Sequence, residues 1–294
     1  PEDRELNSYS QNLKGAGILT NIPAINQVSD YFGFFSNEPD PDAIVRWATS
    51  VRILDDVLMP SLSLKLAAEY LDREILTIFN DFGIESIELV SRENESDIIK
   101  VPIDPYGLGR ILINHKGPTK TYEHFSLADA YDNNFTNKQR KKLKDGILML
   151  GVTAIGINDI KPNPYDSSLD GVEIHANVTD NIISQDFLVR PKNIFNIELL
   201  IIILIGLIFS PIIIMTRPVY SGSSVLIFLS SYYYFDKYYW FENGIWAYIG
   251  MPIIEIILLF ITVTLYRYII EEKEKRKIKG AFTHYLSSDV IKQV

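Results

Sequence analysis

Residues 193–265 hold six charged side chains, Glu198, Arg217, Asp236, Lys237, Glu242 and Glu255, in 73 positions. The other 59 of the 65 Asp, Glu, Lys and Arg residues fall in the remaining 221 positions. Segregation this strong excludes a single water-soluble globule, and the composition excludes collagen-like and disordered chains. A helix crosses a bilayer with about 20 mostly apolar residues, because the hydrocarbon layer is about 30 Å thick and each residue rises about 1.5 Å. Uncharged runs of 18 residues separate Glu198 from Arg217 and Arg217 from Asp236, and a run of 24 between Glu242 and Arg267 is broken only by Glu255. The pattern predicts three transmembrane helices at 197–216, 218–236 and 244–268. Buried core helices are the competing reading, but they need a larger polar shell than these short links supply.

Charge divides the chain into three parts. Residues 1–192 carry 19 basic and 29 acidic residues, 193–265 carry two and four, and 266–294 carry seven and four. The acidic first part argues against nucleic acid as a partner. Cysteine is absent, which excludes disulfides and thiolate chemistry. An odd number of spans puts the two ends on opposite sides of the membrane. Lys273, Lys275, Arg276, Lys277 and Lys279 follow the third span and outweigh Arg190 and Lys192 before the first, so residues 1–192 are expected outside and the tail in the cytoplasm. Tyr232 to Tyr234 and Tyr238 to Phe241 surround the outer link as an interfacial aromatic belt does. Glu255, in mid-span, has two readings: a functional ionisable group, or a neutral carboxyl hydrogen-bonded to a Tyr or Ser hydroxyl of a neighbouring span.

Residues 1–192 read as mixed α and β. A helix is predicted at 61–72, and strands at 84–90, 98–103, 110–114 and 147–152. Asp170 and Glu173 have capping-box spacing ahead of a helix at 171–185, whose Val172, His175, Thr179 and Ile182 share a face. Loop signals concentrate at 37–42 and 161–170. His115, His124 and His175, with Asp159 or Asp170, include zinc-ligand types but no dense ligand motif, and the apolar face that His175 shares favours packing histidines over a zinc site. Asp40, Asp42 and Asp104 are acid–base types in loops where solvated carboxylates are ordinary. No catalytic, cofactor-binding or metal-binding residue is assigned, because nucleophile-elbow, metalloprotease and phosphate-loop motifs are all missing.

Several segments carry a family likeness. Gly151–Pro191 contains GVTAIGINDI with Asp159, then DGVEIHAN with Asp170, Gly171, His175, Ala176 and Asn177, then LVRP. Upstream stand ILINHKGP, with Asn114, Gly117 and Pro118, and FSLADA at 125–130. Asp40, Asp42 and Arg46 precede Pro60-Ser61-Leu62, with Ala43 where the family carries Gly. This set, over about residues 25–270, resembles the CHASE2 domain, a sensory domain associated with cyclases and histidine kinases. The tail AFTHYLSSDVIKQV, with Phe282, Tyr285, Leu286 and Val290, resembles the lead-in to class III adenylate/guanylate cyclase domains.

The resemblance implies a mixed α/β extracytoplasmic sensor at 1–192, three transmembrane helices within 193–270, and a cytoplasmic linker with the start of the cyclase lead-in at 271–294. It further implies a homodimeric, multi-pass receptor of the bacterial inner membrane that answers an unidentified extracytoplasmic ligand. Mg or Mn would serve a cyclase domain beyond Val294, and the family pattern suggests truncation at both ends. Two other readings stay open: the same sensor driving a protein kinase, though His284 does not fit a phosphoacceptor motif, and a transport or envelope-assembly protein using Glu255.

Overall fold

The computed structural model describes residues 13–15, 17, 19–29, 31–54, 57–81, 83–144, 146–153 and 159–283, the last three by backbone alone. Two compact units emerge, Pro1–Arg190 and Pro191–Val294. In the first, α1 (Pro23–Asn26) precedes β1 (Trp47–Thr49), β2 (Val51–Leu54) and β3 (Val57–Pro60), then α2 (Leu62–Tyr70). β4 (Arg73–Asn80), β5 (Gly83–Ser91), β6 (Ile98–Val101) and β7 (Arg110–Leu112) follow, then α3 (Leu127–Tyr131) and α4 (Asn137–Leu143). The unit ends with β8 (Ile160–Lys161), β9 (Leu169–Asp170) and α5 (Gly171–Ser184).

Sheet pairing is local except between β1 and β7. β4, β5 and β6 form an antiparallel meander with a register shift at Ile78/Phe79; β2 pairs with β3, β1 with β7 and β8 with β9. Ser61 caps α2 by accepting from the Leu64 amide at 3.3 Å, and the helix buries Leu64, Ala67 and Ala68. α5 buries Ile174, Val178 and Ile182 at four-residue spacing. These residues join Ile53, Ile87, Leu89, Ile111 and Leu169 in one core. Burial of each large aliphatic chain contributes roughly 1.5–3 kcal/mol, the main force holding these short sheets together.

Three expectations need correction. Residues 147–152 form no strand: Leu148, Leu150 and Val152 are exposed, and no described segment pairs with them. An alternating apolar run becomes a strand only where a neighbour accepts its hydrogen bonds. Asp170 is the N-cap of α5, but its side chain makes no capping bond, and Glu173 is turned into the protein. β1 to β4 and α4 went unpredicted, because elements of three to eight residues carry little periodicity, whereas α3 overlaps the FSLADA segment that the family resemblance implies is a helix.

The second unit contains α6 (Ile194–Met215), α7 (Pro218–Phe235) and α8 (Gly250–Thr283), with a π-helical turn at Asp236–Trp240 after α7. By length and composition two helices can cross a membrane, Ile194–Met215 and Gly250–Gly280. α7 occupies the place of the second predicted span but is not one of the two, because Ser221, Ser223, Ser224 and four tyrosines dilute its hydropathy. The third helix begins at Gly250 rather than 244 and runs unbroken through Thr283. At 1.5 Å per residue α8 is about 51 Å long, well beyond a hydrocarbon layer of about 30 Å.

Within this unit α6 and α8 run parallel. The Glu198 carboxylate accepts from the Tyr248 amide at 2.7 Å, and Arg267 donates to the Ile213 and Thr216 carbonyls at 3.0 and 2.5 Å. Between these points Glu255 Oε1 lies against Gly206, where an added Cβ would sit 3.4 Å away. α7 returns along the pair: Phe228 packs edge-on against Phe209 at 4.8 Å, and Trp240 reaches Ile194 and Ala247. The helices are apolar all round yet bury little in one another; Leu207, Ile208 and Leu258 stay exposed. Such surfaces suit lipid rather than water.

Candidate functional site

Glu173, Asn177 and Asn181 lie at i, i+4 and i+8 on α5, one stripe of a helix that turns, and all three are buried. Each fastens the segment after β7. Asn181 accepts from the Asn114 amide at 2.9 Å and donates to the Asn114 carbonyl at 3.0 Å. Asn177 accepts from the Lys116 amide at 2.9 Å and donates to the Glu173 carbonyl at 2.8 Å. Glu173 Oε1 accepts from the Lys120 amide at 2.7 Å and meets His124 Nε2 at 2.5 Å. Beside the stripe, the Tyr122 hydroxyl donates to Asp180 at 3.1 Å, and burial holds the Tyr122 phenol well above its ordinary pKa, with Asp180 adding to the effect. Lys116 pairs with Asp186. Residues 114–124 are thus clamped along the whole length of α5.

The structure brings together sequence segments that were singled out separately. Asn114 and Asn177 meet through this clamp. The Gly117 carbonyl accepts from Asn163 at 3.4 Å, and the Pro118 carbonyl accepts from the Thr121 hydroxyl at 2.6 Å, closing the turn. Asp159 covers the start of α5: its carbonyl accepts from the Gly171 amide at 2.8 Å, and a Cβ on residue 171 would overlap its carboxylate. Ala176 is half-buried beside the clamp. Asp40 and Asp42 both grip Arg46, which holds the Asp42 carboxyl below its ordinary range. Ala43, just after Asp42, takes φ 67°, the left-handed conformation that explains a glycine at this place. Asp104 caps the 104–110 turn, accepting from the Tyr106, Leu108 and Arg110 amides.

The histidines separate. His175 points away from the clamp, its Nδ1 3.0 Å from the Ser63 hydroxyl and its Nε2 3.1 Å from the Phe35 carbonyl. His115 Nε2 lies 2.9 Å from the Val45 carbonyl, while its buried Nδ1 has no partner among the described residues. Burial holds both rings below the ordinary histidine pKa of 6.5. His124 belongs to Glu173, so the histidines do not converge on Asp159 or Asp170, and no group of three metal-ligating side chains forms among the described residues.

In the helical unit, no hydroxyl among the described residues partners the buried oxygen of Glu255. Its Oε2 is buried with no hydrogen bond among the described residues, and Gly206 supplies space rather than a donor. Phe282 lies in the last turn of α8, described by backbone alone; Tyr285, Leu286, Val290 and His284 lie outside the described residues. Sequence reading missed Glu173, Asn181, Asn163 and Arg267 as contact makers. The polar stripe at four-residue spacing was the available signal for the first two.

The clamp's donors and acceptors are directed at each other, and it contains no nucleophile beside a base. A mixed α/β domain built this way, followed by apolar helices, has the layout of a membrane receptor's binding part. The CHASE2 domain family model matches residues 2–210, and the chain belongs to that family. A CHASE2 domain is the extracytoplasmic sensor of a signalling receptor. The match starts ahead of residue 25 and ends inside α6, short of the 270 expected. No curated protein and no solved structure matches the chain.

Proposed function

We propose that this chain is the sensory and membrane portion of a bacterial receptor adenylate or guanylate cyclase, working as a homodimer in the inner membrane. The observation that carries the reading is the CHASE2 match running directly into an apolar helix bundle whose last helix continues as a charged stalk. Three crossings fit the bundle better than two. If α6 and α8 both span and run parallel, the chain between them has to return through the same layer, and α7 with its π-helical turn covers that distance. The basic residues after the third crossing then favour a cytoplasmic stalk, with residues 1–192 outside.

In this reading a ligand alters the outer domain, α8 carries the change inward, and a cyclase pair closes the 3′-oxygen of ATP or GTP onto its α-phosphorus with release of pyrophosphate. Divalent metal would serve that cyclase, and no residue of this chain is assigned to hold it. Membranes bearing the chain together with the coding sequence that follows Val294 should form cyclic AMP or cyclic GMP with Mg or Mn, whereas the 294-residue chain should not. Autophosphorylation without cyclic nucleotide would transfer the reading to a kinase. Topology is tested by single cysteines at Ser96 and Gly280 with a membrane-impermeant maleimide: labelling from the same side refutes three crossings. The Glu255 oxygen that has no partner among the described residues supports one other reading, ion transfer through the bundle, which requires a reconstituted flux that Glu255→Gln abolishes.

A further inference from the structure

Helix α4 departs from the charge of its domain. Asn137 to Lys144 contains Lys138, Arg140, Lys141, Lys142 and Lys144 and no acid, although residues 1–192 carry ten more acids than bases. Lys138, Lys141 and Lys142 fall at i, i+3 and i+4, on one exposed face. Like charges at these spacings repel, and Lys138 stands in the first turn, where the helix dipole also disfavours a cation. The Thr136–Gln139 capping box fixes the helix start without adding a negative charge. Arg140 is used internally, donating to Asn133 and to the Phe135 carbonyl, and Lys142 pairs with Glu123. Lys138, Lys141 and Lys144 have no ion-pair partner among the described residues. Just upstream, α3 exposes Leu127 and Tyr131, an aliphatic and a phenolic side chain four residues apart.

A helix that exposes unpaired cations in an otherwise acidic domain presents a surface complementary to an external anionic one. We propose that α4 docks on the phosphate-bearing headgroups of anionic lipids. The proposal rests on the membrane reading above. Only three residues separate Arg190 from α6, so the bilayer lies within about one domain diameter, roughly 40 Å, and the tether keeps its surface at high effective concentration. Tyrosine and leucine beside lysines are residues that partition into a headgroup layer. Each unpaired lysine near an anionic surface favours the docked state about fivefold, so Lys138 and Lys141, the two on this face with no ion-pair partner among the described residues, are together worth roughly 25-fold.

The chain's lack of cysteine allows a clean test. A fluorophore is placed on Gly146→Cys, just after α4, in the full chain reconstituted into nanodiscs of phosphatidylcholine alone or with three parts in ten of phosphatidylglycerol. Quenching by a headgroup-attached nitroxide reports docking. Quenching is expected in the anionic discs, declining from 50 to 500 mM salt, and lost in Lys138→Gln/Lys141→Gln/Lys142→Gln. Equal quenching in neutral discs, or quenching that survives the triple substitution, overturns the proposal. So does its absence from both discs; label-to-label contact between two chains would then assign the cations to an acidic surface of a second copy. Co-elution of chain and lipid scores membrane insertion separately: a chain that fails to insert refutes the membrane reading, and an inserted, unquenched chain refutes only docking.

Discussion

Replacing Asn177 by alanine tests whether the α5 clamp holds the outer domain together. The substitution leaves the Lys116 amide without its acceptor at 2.9 Å, in a place where Asn177 itself is 1% exposed. Stranding such a donor costs about 1–3 kcal/mol. The second lost bond, to the Glu173 carbonyl, matters less because that carbonyl already serves the helix. The void left by the amide adds about 0.5–1 kcal/mol, offset by about 0.5 kcal/mol of helix propensity gained with alanine. The net is about 2 kcal/mol, which for a domain of this size lowers Tm by about 4–8 °C. Thermal unfolding of the full chain, with hydrogen exchange at Lys116, measures both. Asn181→Ala, which breaks a reciprocal pair with Asn114, should cost more. If Asn177→Ala melts within 1 °C of the parent and Lys116 keeps its protection, the clamp is not what orders residues 114–124.

The buried histidines fix a pH dependence. His115 and His175 have folded-state pKa values below 6.5, so the unfolded chain binds more protons and stability is complete above about pH 6.5, falling as pH drops toward and through the folded values. A Tm that stays flat from pH 7.5 to 5 contradicts this, and His115→Gln should flatten part of the slope. Ala43→Gly should stabilise by about 0.5–1 kcal/mol, because relief of a left-handed alanine exceeds glycine's entropic cost; urea unfolding with a lowered midpoint counts against it. Arg267→Met removes the donor to the Ile213 and Thr216 carbonyls and should raise hydrogen exchange in the last turn of α6. Unchanged exchange there means the contact is idle.

Sequence made some of this legible and hid the rest for definite reasons. The charge gap over 193–265 located all three helices, since 18 or more residues without charge have few other uses. It overrated α7 as an apolar span because counting charges ignores its serines and tyrosine hydroxyls. The family motifs marked Asn114, Gly117, Asp159, Gly171 and Asn177, but not why they belong together: Lys116 and Asn177 are 61 residues apart, and only the fold joins them. Ile147 to Val152 shows the converse, a sound local pattern without a partner. Capping-box spacing at Asp170 and Glu173 misled because burial gave Glu173 better donors in Lys120 and His124.

The parallel pairing of α6 and α8 also acts as a mechanical filter. Two pins, Glu198 to the Tyr248 amide and Arg267 to the α6 carbonyls, join the helices at points about 15–19 residues, or roughly 25 Å, apart. A helix held to its neighbour at two separated points does not spin independently about its own axis without breaking one of them. It can still translate, or tilt, together with that neighbour. If the chain signals as proposed, displacement entering at Asn193 would pass to the stalk with its direction preserved, while torsion confined to α8 would be damped inside the bundle.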